Sequence, residues 1–286
     1  MRTFIVLIAS SIALLAQSGG KLDPRDMVRR SIVTGDRSYK AGQQYTYTER
    51  DEEKRLGSHG RVKSTEVDVS KVVFINGEPF EQLVEHNGGP PTPSEQKKEQ
   101  DKIQKRRNET GTQRAARLRK ETSERAFLHE VPEAFDFKLI GEETINGRPA
   151  YVLAATPHPG YQPRSKQANM FSKVQGKLWV DKEDFGWMKI DAQVMQPFAM
   201  GFFLARVQKG SRIHFEQIRV APGVWLPKRI EVCADAKIMF VKNYDMNEVI
   251  TYSNYQKAGN KTEVSSASGP VKPQVDHLVS SSPRPQ

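Results

Sequence analysis

The chain has 286 residues, 37% hydrophobic and 27% charged, with a formal net charge of +10. That length suits one large globular domain or two small ones, and no apolar run is long enough to cross a bilayer as a helix. Cys233 is the one cysteine, which excludes an intramolecular disulfide. Stability must then come from a core, and a buried structural thiol is the role expected of Cys233.

Residues 1–18 have the layout of an export signal. Arg2 supplies the positive start, 4–15 form an apolar run, and Ala16-Gln17-Ser18 fits a small-x-small cleavage site. The run is roughly a dozen residues, short of the ~20 that a spanning helix needs. Cleavage near Ser18 is expected, an uncleaved anchor being the alternative. Asp23, Pro24 and Asp26 mark a helix start. That helix is expected to stop at Gly35, with Met27, Val28 and Ile32 facing inward. Tyr45 and Tyr47 alternate with Thr46 and Thr48 as a strand, and Thr65, Val67 and Val69 continue on one face. Asn76-Gly77 and Asn146-Gly147 favour positive φ and mark two hairpin turns.

Residues 88–126 interrupt the strands. Gly88-Gly89-Pro90-Pro91 breaks the chain, Ser94 opens a helical stretch, and Gly111 is placed to split it. Between 95 and 125, eleven Lys or Arg stand against six Asp or Glu, with few apolar residues. A helix so polar all round is solvated; the sharper reading makes it a mobile cationic flap. For an exported chain, the basic region 97–125 points to an anionic membrane surface or an acidic envelope protein, and not to nucleic acid.

Phe135, Phe137 and Leu139 alternate into the next strand. In 176–194, Met188, Ile190, Ala192 and Val194 fall on one side, with Lys189, Asp191 and Gln193 on the other. Residues 213–232 form a second hairpin of the same kind. Between the two, Phe198, Met200, Phe202, Phe203 and Leu204 supply more apolar material than a connector needs. They either plug the sheet or line a ligand cavity, where a flexible thioether suits irregular guests. Residues 259–286 lack aromatics and are rich in Ser and Pro, the composition of a disordered tail. The expected organisation is a signal at 1–18, a single β domain at 19–258 carrying the insertion 88–126, and that tail.

Catalytic signatures are sparse. No two of the six histidines have i, i+4 ligand spacing, and no second cysteine completes a zinc site. A metal site would need residues distant in the chain, and none is expected. There is no G-x-S-x-G, G-x-x-x-x-G-K-[ST] or G-x-G-x-x-G run. Asp181 and Asp184 lie at a turn, where acids hydrogen-bond backbone amides. Neither an enzyme nor a cofactor-dependent protein is expected.

The run Leu178-Trp179-Val180-Asp181, the turn at 184–186, the hairpin segment 223–232 and a closing strand at 246–255 together resemble the LolA-like family. That family comprises bacterial outer-membrane lipoprotein-sorting proteins and their relatives. The resemblance covers roughly 22–258 and is most specific in the C-terminal half. It implies a mostly antiparallel α+β fold: a half-open curved sheet with helices at its mouth and an apolar cavity for acyl chains. No arginine here matches the one that holds the family's lid, and the insertion and tail depart from the compact carrier. The implied protein is periplasmic and monomeric, and it binds lipid or lipoprotein acyl chains without a cofactor. An envelope sensor that binds a protein partner is the alternative. The residues expected to line the cavity are Tyr45, Tyr47, Trp179, Met188, Ile190, Val194, Phe198, Phe202, Phe203, Ile213, Phe215, Trp225 and Ile230.

Overall fold

The computed structural model describes residues 22–200, 205–238 and 242–259. The expected signal, Phe202, Phe203 and the expected tail beyond Gly259 lie outside the described residues. In chain order the elements are α1 (Pro24–Gly42), β1 (Tyr45–Leu56), β2 (Val62–Ile75), β3 (Glu78–His86), α2 (Pro93–Arg107) and α3 (Gly111–Arg125). A short helix, α4 (Val131–Ala134), leads into β4 (Phe135–Ile145), β5 (Arg148–Pro157), β6 (Val174–Asp181) and β7 (Trp187–Val194). The chain continues through β8 (Phe198–Met200), β9 (Ala205–Val207), β10 (Arg212–Ala221), β11 (Val224–Ile238) and β12 (Lys242–Lys257).

All twelve strands of the described residues belong to one antiparallel sheet, ordered β3-β2-β1-β12-β11-β10-β7-β6-β5-β4, with β9 attached to β11 and β8 to β9. Its end strands, β3 and β4, do not pair with each other, so the curved sheet stays unclosed. The helices lie against it. The antiparallel sheet is what the alternating segments predict, and its half-open curvature is what the family resemblance implies.

The hairpin turns follow their local chemistry. Asn76 and Gly77 have φ of 53° and 75°, and Asn146 and Gly147 have 49° and 78°. Two successive residues at positive φ match the right-handed twist of the strands they join.

Helix α1 starts as expected, with Asp23 accepting from the Arg25 amide and Pro24 in the first turn. It does not stop at Gly35 but runs on to Gly42. The cause is the buried face, which continues past Ile32 in small hydroxyl residues rather than apolar ones. Ser31, Thr34 and Ser38 are all buried. The Ser31 hydroxyl donates to the Met27 carbonyl at 2.8 Å, and that of Thr34 to the Asp184 carbonyl at 2.7 Å. Ser38 Oγ accepts from the Trp225 amide at 3.0 Å. Satisfied in this way, each hydroxyl can be buried at little cost.

The charged insertion forms two helices that start at capping boxes, Thr92 with Glu95 and Thr110 with Gln113. Thr92, not Ser94, caps the first, and Gly111 does separate the two. The pair is docked. Glu78 accepts from Arg114 at 2.6 Å and from Arg117, while Arg117 also binds Glu109 and Glu121. The Asn76 side-chain amide donates to the carbonyls of Arg106 and Arg107. Glu99, buried on α2, accepts from the Leu83 amide at 3.4 Å. One amide on the otherwise open edge of β3 is thereby occupied, which helps block edge-to-edge pairing there.

One ladder row shows how the sheet's chemistry is distributed. Leu139, Leu153, Leu178, Ile190, Phe215, Ile230, Ile250, Asp51, Asp68 and His86 are successive register partners from β4 to β3. Register partners share a face. On this face Leu153, Leu178 and Val180 pack against Met27 and Val28 of α1. The row is apolar through β12 and ionisable from β1 onward. The neighbouring row repeats the change, from Ile213 and Val232 to Glu248, Glu53 and Glu66.

Two expectations fail on faces. The strict alternation of 188–194 breaks at a bulge, where Trp179 pairs with Lys189 but Val180 pairs with Trp187. The extra residue turns Met188 to the opposite face, where it packs with Trp179 and Val152. Cys233 is exposed rather than buried. Alternation along β11 puts it with Glu231 and Asp235, on the side away from Ile230 and Val232.

Candidate functional site

The site grows from the packing of α1 across the middle of the sheet. Ile32, Gly35, Tyr39 and Gly42 recur at helical spacing along α1 and all face a cavity of about 400 Å³. Tyr47, Phe215, Trp225, Leu226 and Tyr255 form the sheet side, with Trp187 beside Gly186. Arg125 and Leu128 approach from the end of α3 and the turn after it. The volume falls within the ligand-site range of roughly 300–1,000 Å³. Asp36 and Arg125 are the charged side chains among its lining.

Trp225 is the best-anchored wall. Its amide donates to Ser38 Oγ, and its indole Nε1 donates to Asp184 Oδ1 at 2.8 Å. Asp184 also accepts from Arg219 Nε at 2.8 Å and from the Gly223 amide at 3.1 Å. The indole lies so close over Gly186 that a Cβ there would stand 2.2 Å from Nε1. Next to it, Asp181 is fully buried, accepting from the Glu183 and Asp184 amides and from Arg148 at 2.7 and 2.9 Å. Burial alone would raise the Asp181 pKa, but Arg148 and the two amides outweigh it and hold the carboxyl below its ordinary range. These two aspartates thus serve the turn and the Trp225 wall, as their position predicts.

The tyrosine side is a stack. Tyr47 meets Tyr252 edge-on at 5.8 Å between centroids and Tyr255 at 5.3 Å, and the Tyr255 hydroxyl donates to the Pro227 carbonyl. Burial, then the charges of Glu81 and Glu49, push the Tyr47 pKa up to about 12, so its phenol stays neutral. At the opposite rim the Arg125 guanidinium sits over the Tyr39 ring, 3.9 Å from its centroid. The lining offers no nucleophile paired with a base. What it can do is surround an apolar guest.

The expected lining residues separate into groups. Tyr47, Phe215 and Trp225 line the cavity. Ile190 packs beneath α1, Val194 and Phe198 pack in the cluster around Phe135 and Phe171, and Tyr45 is buried. Ile230 lies on the same row as Phe215. Trp179 and Met188 are on the other face, where the Trp179 indole donates to Glu143 at 2.8 Å. Ile213 borders a separate depression of about 630 Å³ with Lys177, His214, Glu231 and Cys233. Sequence reasoning missed Gly35, Tyr39, Arg125, Leu128, Trp187 and Leu226. The i, i+3 and i+4 spacing of Ile32, Gly35 and Tyr39 carried a signal, hidden by reading Gly35 as a helix stop.

No family model and no curated protein matches the chain. Solved structures do. The chain is similar to a DUF1329 family protein from Desulfovibrio piger, at 12% identity and a TM-score of 0.37, covering 84% of this chain and 95% of that one. It is similar to the LolA superfamily protein NE2245 from Nitrosomonas europaea, at 12% identity and a TM-score of 0.30 over the same shares. It is also similar to a putative outer membrane lipoprotein-sorting protein domain from Vibrio parahaemolyticus, at 12% identity and a TM-score of 0.35, covering 82% of this chain and 95% of that one.

Proposed function

We propose that this protein is exported to the periplasm and captures an acyl chain of a lipid or lipoprotein in the cavity under α1, without catalysis. The observation that carries this reading is the cavity's lining: Ile32, Tyr47, Phe215, Trp225 and Leu226 present apolar surface around about 400 Å³. Burying an acyl chain is worth roughly 0.8 kcal/mol per CH₂, so a chain of about 16 carbons yields on the order of 10 kcal/mol before ordering costs. Such a gain offsets what the chain loses on leaving the bilayer, and Arg125 at the rim suits an anionic head group. The guest takes the space between α1 and the tyrosine stack, not the whole inner wall, because Leu178, Val180 and Ile190 are already covered by α1. Native mass spectrometry of the purified protein should reveal bound lipid, and the delipidated protein should take up a fluorescent fatty acid. Delipidated, folded protein that takes up no acyl probe would overturn the reading.

A second reading, docking of an acidic envelope protein, rests on Lys97, Lys98, Lys105 and Arg119, which are exposed on α2 and α3. Reversing these four charges separates the two. Loss of a co-purifying partner with acyl uptake intact favours docking, whereas unchanged partner recovery removes this second reading.

A further inference from the structure

We propose a divalent-metal site suited to Zn²⁺, formed by Glu66 and Asp68 of β2 and His86 of β3. It lies at the ionisable end of the α1-covered face and is independent of the cavity reading. Glu66 and Asp68 are two apart on one strand and so share a face, and Asp68 is the register partner of His86. One ligand atom from each of the three lies within 4.8 Å of the others. Small side-chain rotations bring such atoms to the ~2.0–2.2 Å that zinc requires of imidazole and carboxylate.

The local backbone aims the imidazole. A register shift between Val69 and Ser70 precedes His86 in the pairing, and Asn87 and Gly88 at φ of 51° and 78° end the strand just after it. His86 Nδ1 faces Asp68 Oδ1 at 2.6 Å, and Nε2 lies 2.9 Å from Asn87 Nδ2 and 3.8 Å from Glu95 Oε1. A metal on Nδ1 places the ring proton on Nε2, where the Asn87 side-chain amide, turned to present its oxygen, accepts it.

A second observation points to a cation. Across the β1–β2 pairing Asp51 faces Asp68 and Glu53 faces Glu66, with Glu248 opposite Glu53. Asp51 Oδ1 is buried and meets no donor among the described residues, although the side chain is only half-buried and its carboxyl is hydrogen-bonded to Glu248. Buried charge is ordinarily paired or bound to metal. The nearby guanidinium, Arg55, is engaged with Glu53 at 3.0 Å. One imidazole with two carboxylates favours zinc over the all-oxygen shells of Ca²⁺ and Mg²⁺, and three protein ligands leave room for water.

The test is calorimetric titration of the folded, chelator-treated full chain with ZnCl₂. Saturable binding is expected, weakened at least about tenfold in His86→Ala and Asp68→Asn. Glu66 is exposed, so Glu66→Gln tests the ligand set where the His86 variant fails to fold. X-ray absorption should then show a nitrogen or oxygen shell at about 2.0–2.2 Å. Absence of saturable binding overturns the proposal. Binding that persists in both His86→Ala and Glu66→Gln, or that excess CaCl₂ abolishes, overturns it too, since it reports only attraction to an acidic wall.

Discussion

Gly35 is where a single atom has the most leverage on the proposed function. It lines the cavity from within α1, and a Cβ built there meets nothing within 4 Å. Glycine inside a helix costs about 1 kcal/mol relative to alanine. Gly35→Leu should therefore fold at least as stably as the parent while filling the guest's space. The expected result is an unchanged or higher denaturant midpoint together with acyl-probe uptake reduced on the order of tenfold or more. Uptake equal to the parent's would place the guest elsewhere. The spacing of Ile32, Gly35 and Tyr39 fits one helical face, but the glycine at its centre reads as a stop and masks it. The distinction rests on Ser38 and Trp225, which bond across a gap of 187 residues.

Glu49 carries a prediction of a different kind. Burial first, then the charge of Glu81, raises its pKa from 4.5 to about 7, with Asp51 adding to the rise and a hydrogen bond from Tyr252 opposing it. Between those two values the folded protein holds a proton that the unfolded chain has released. Stability from this group is thus present at low pH and lost as pH rises toward 7. Glu49→Gln should be more stable than the parent above pH 7, with the difference shrinking toward pH 5. Denaturant midpoints across that range provide the check, and a parallel pair of pH curves would show that Glu49 titrates normally.

At the scale of elements, the α2–α3 pair is held by polar contacts more than by apolar ones. Arg117 joins Glu78, Glu109 and Glu121, and its side chain and those of Glu78 and Glu109 are mostly sheltered. Hydrogen bonds to charged groups contribute roughly 1.5–3 kcal/mol each when a partner is removed. Arg117→Ala should loosen residues 93–125 by about 1–3 kcal/mol, read as faster amide exchange confined to these helices and to β3. Exchange that rises equally across β5 and β6 would instead mean a global loss. The elements themselves were largely legible. Alternation found the strands, and Asn76-Gly77 and Asn146-Gly147 turned where their chemistry says they should. What hid was any feature set by a distant partner. Thr34 and Ser38 read as polar and end the apparent helix, yet both are buried against the sheet. Met188 reads as a partner of Ile190, yet an extra residue opposite the β6 end turns it away. The same limit applies to the cavity: Tyr47, Phe215 and Trp225, expected among its lining, do border it, while the roof from Arg125 and Leu128 was not expected.

Across the whole molecule, one face of the sheet serves two chemistries. From β4 to β11 both rows are apolar and carry α1; one turns acidic on β12 at Glu248, and from β1 to β3 both are Asp, Glu and His. A chain selected for stability alone would extend the leucine and isoleucine row through β1. Asp51 breaks it: its carboxyl is hydrogen-bonded to Glu248, but Oδ1 stays buried without a donor beside Asp68. Removing an unsatisfied buried polar group recovers about 1–3 kcal/mol, and a β-branched residue suits the pleated surface. Asp51→Val should therefore raise the unfolding midpoint of the metal-free protein at pH 7.5 by the equivalent of about 1–2 kcal/mol. If the acidic wall exists to hold a cation, the parent should close part of that gap when ZnCl₂ is added, since a ligand that binds only the folded state stabilises it. A metal-free Asp51→Val protein that is less stable than its parent would mean the wall is already satisfied, and the local conflict that motivates this substitution would be absent.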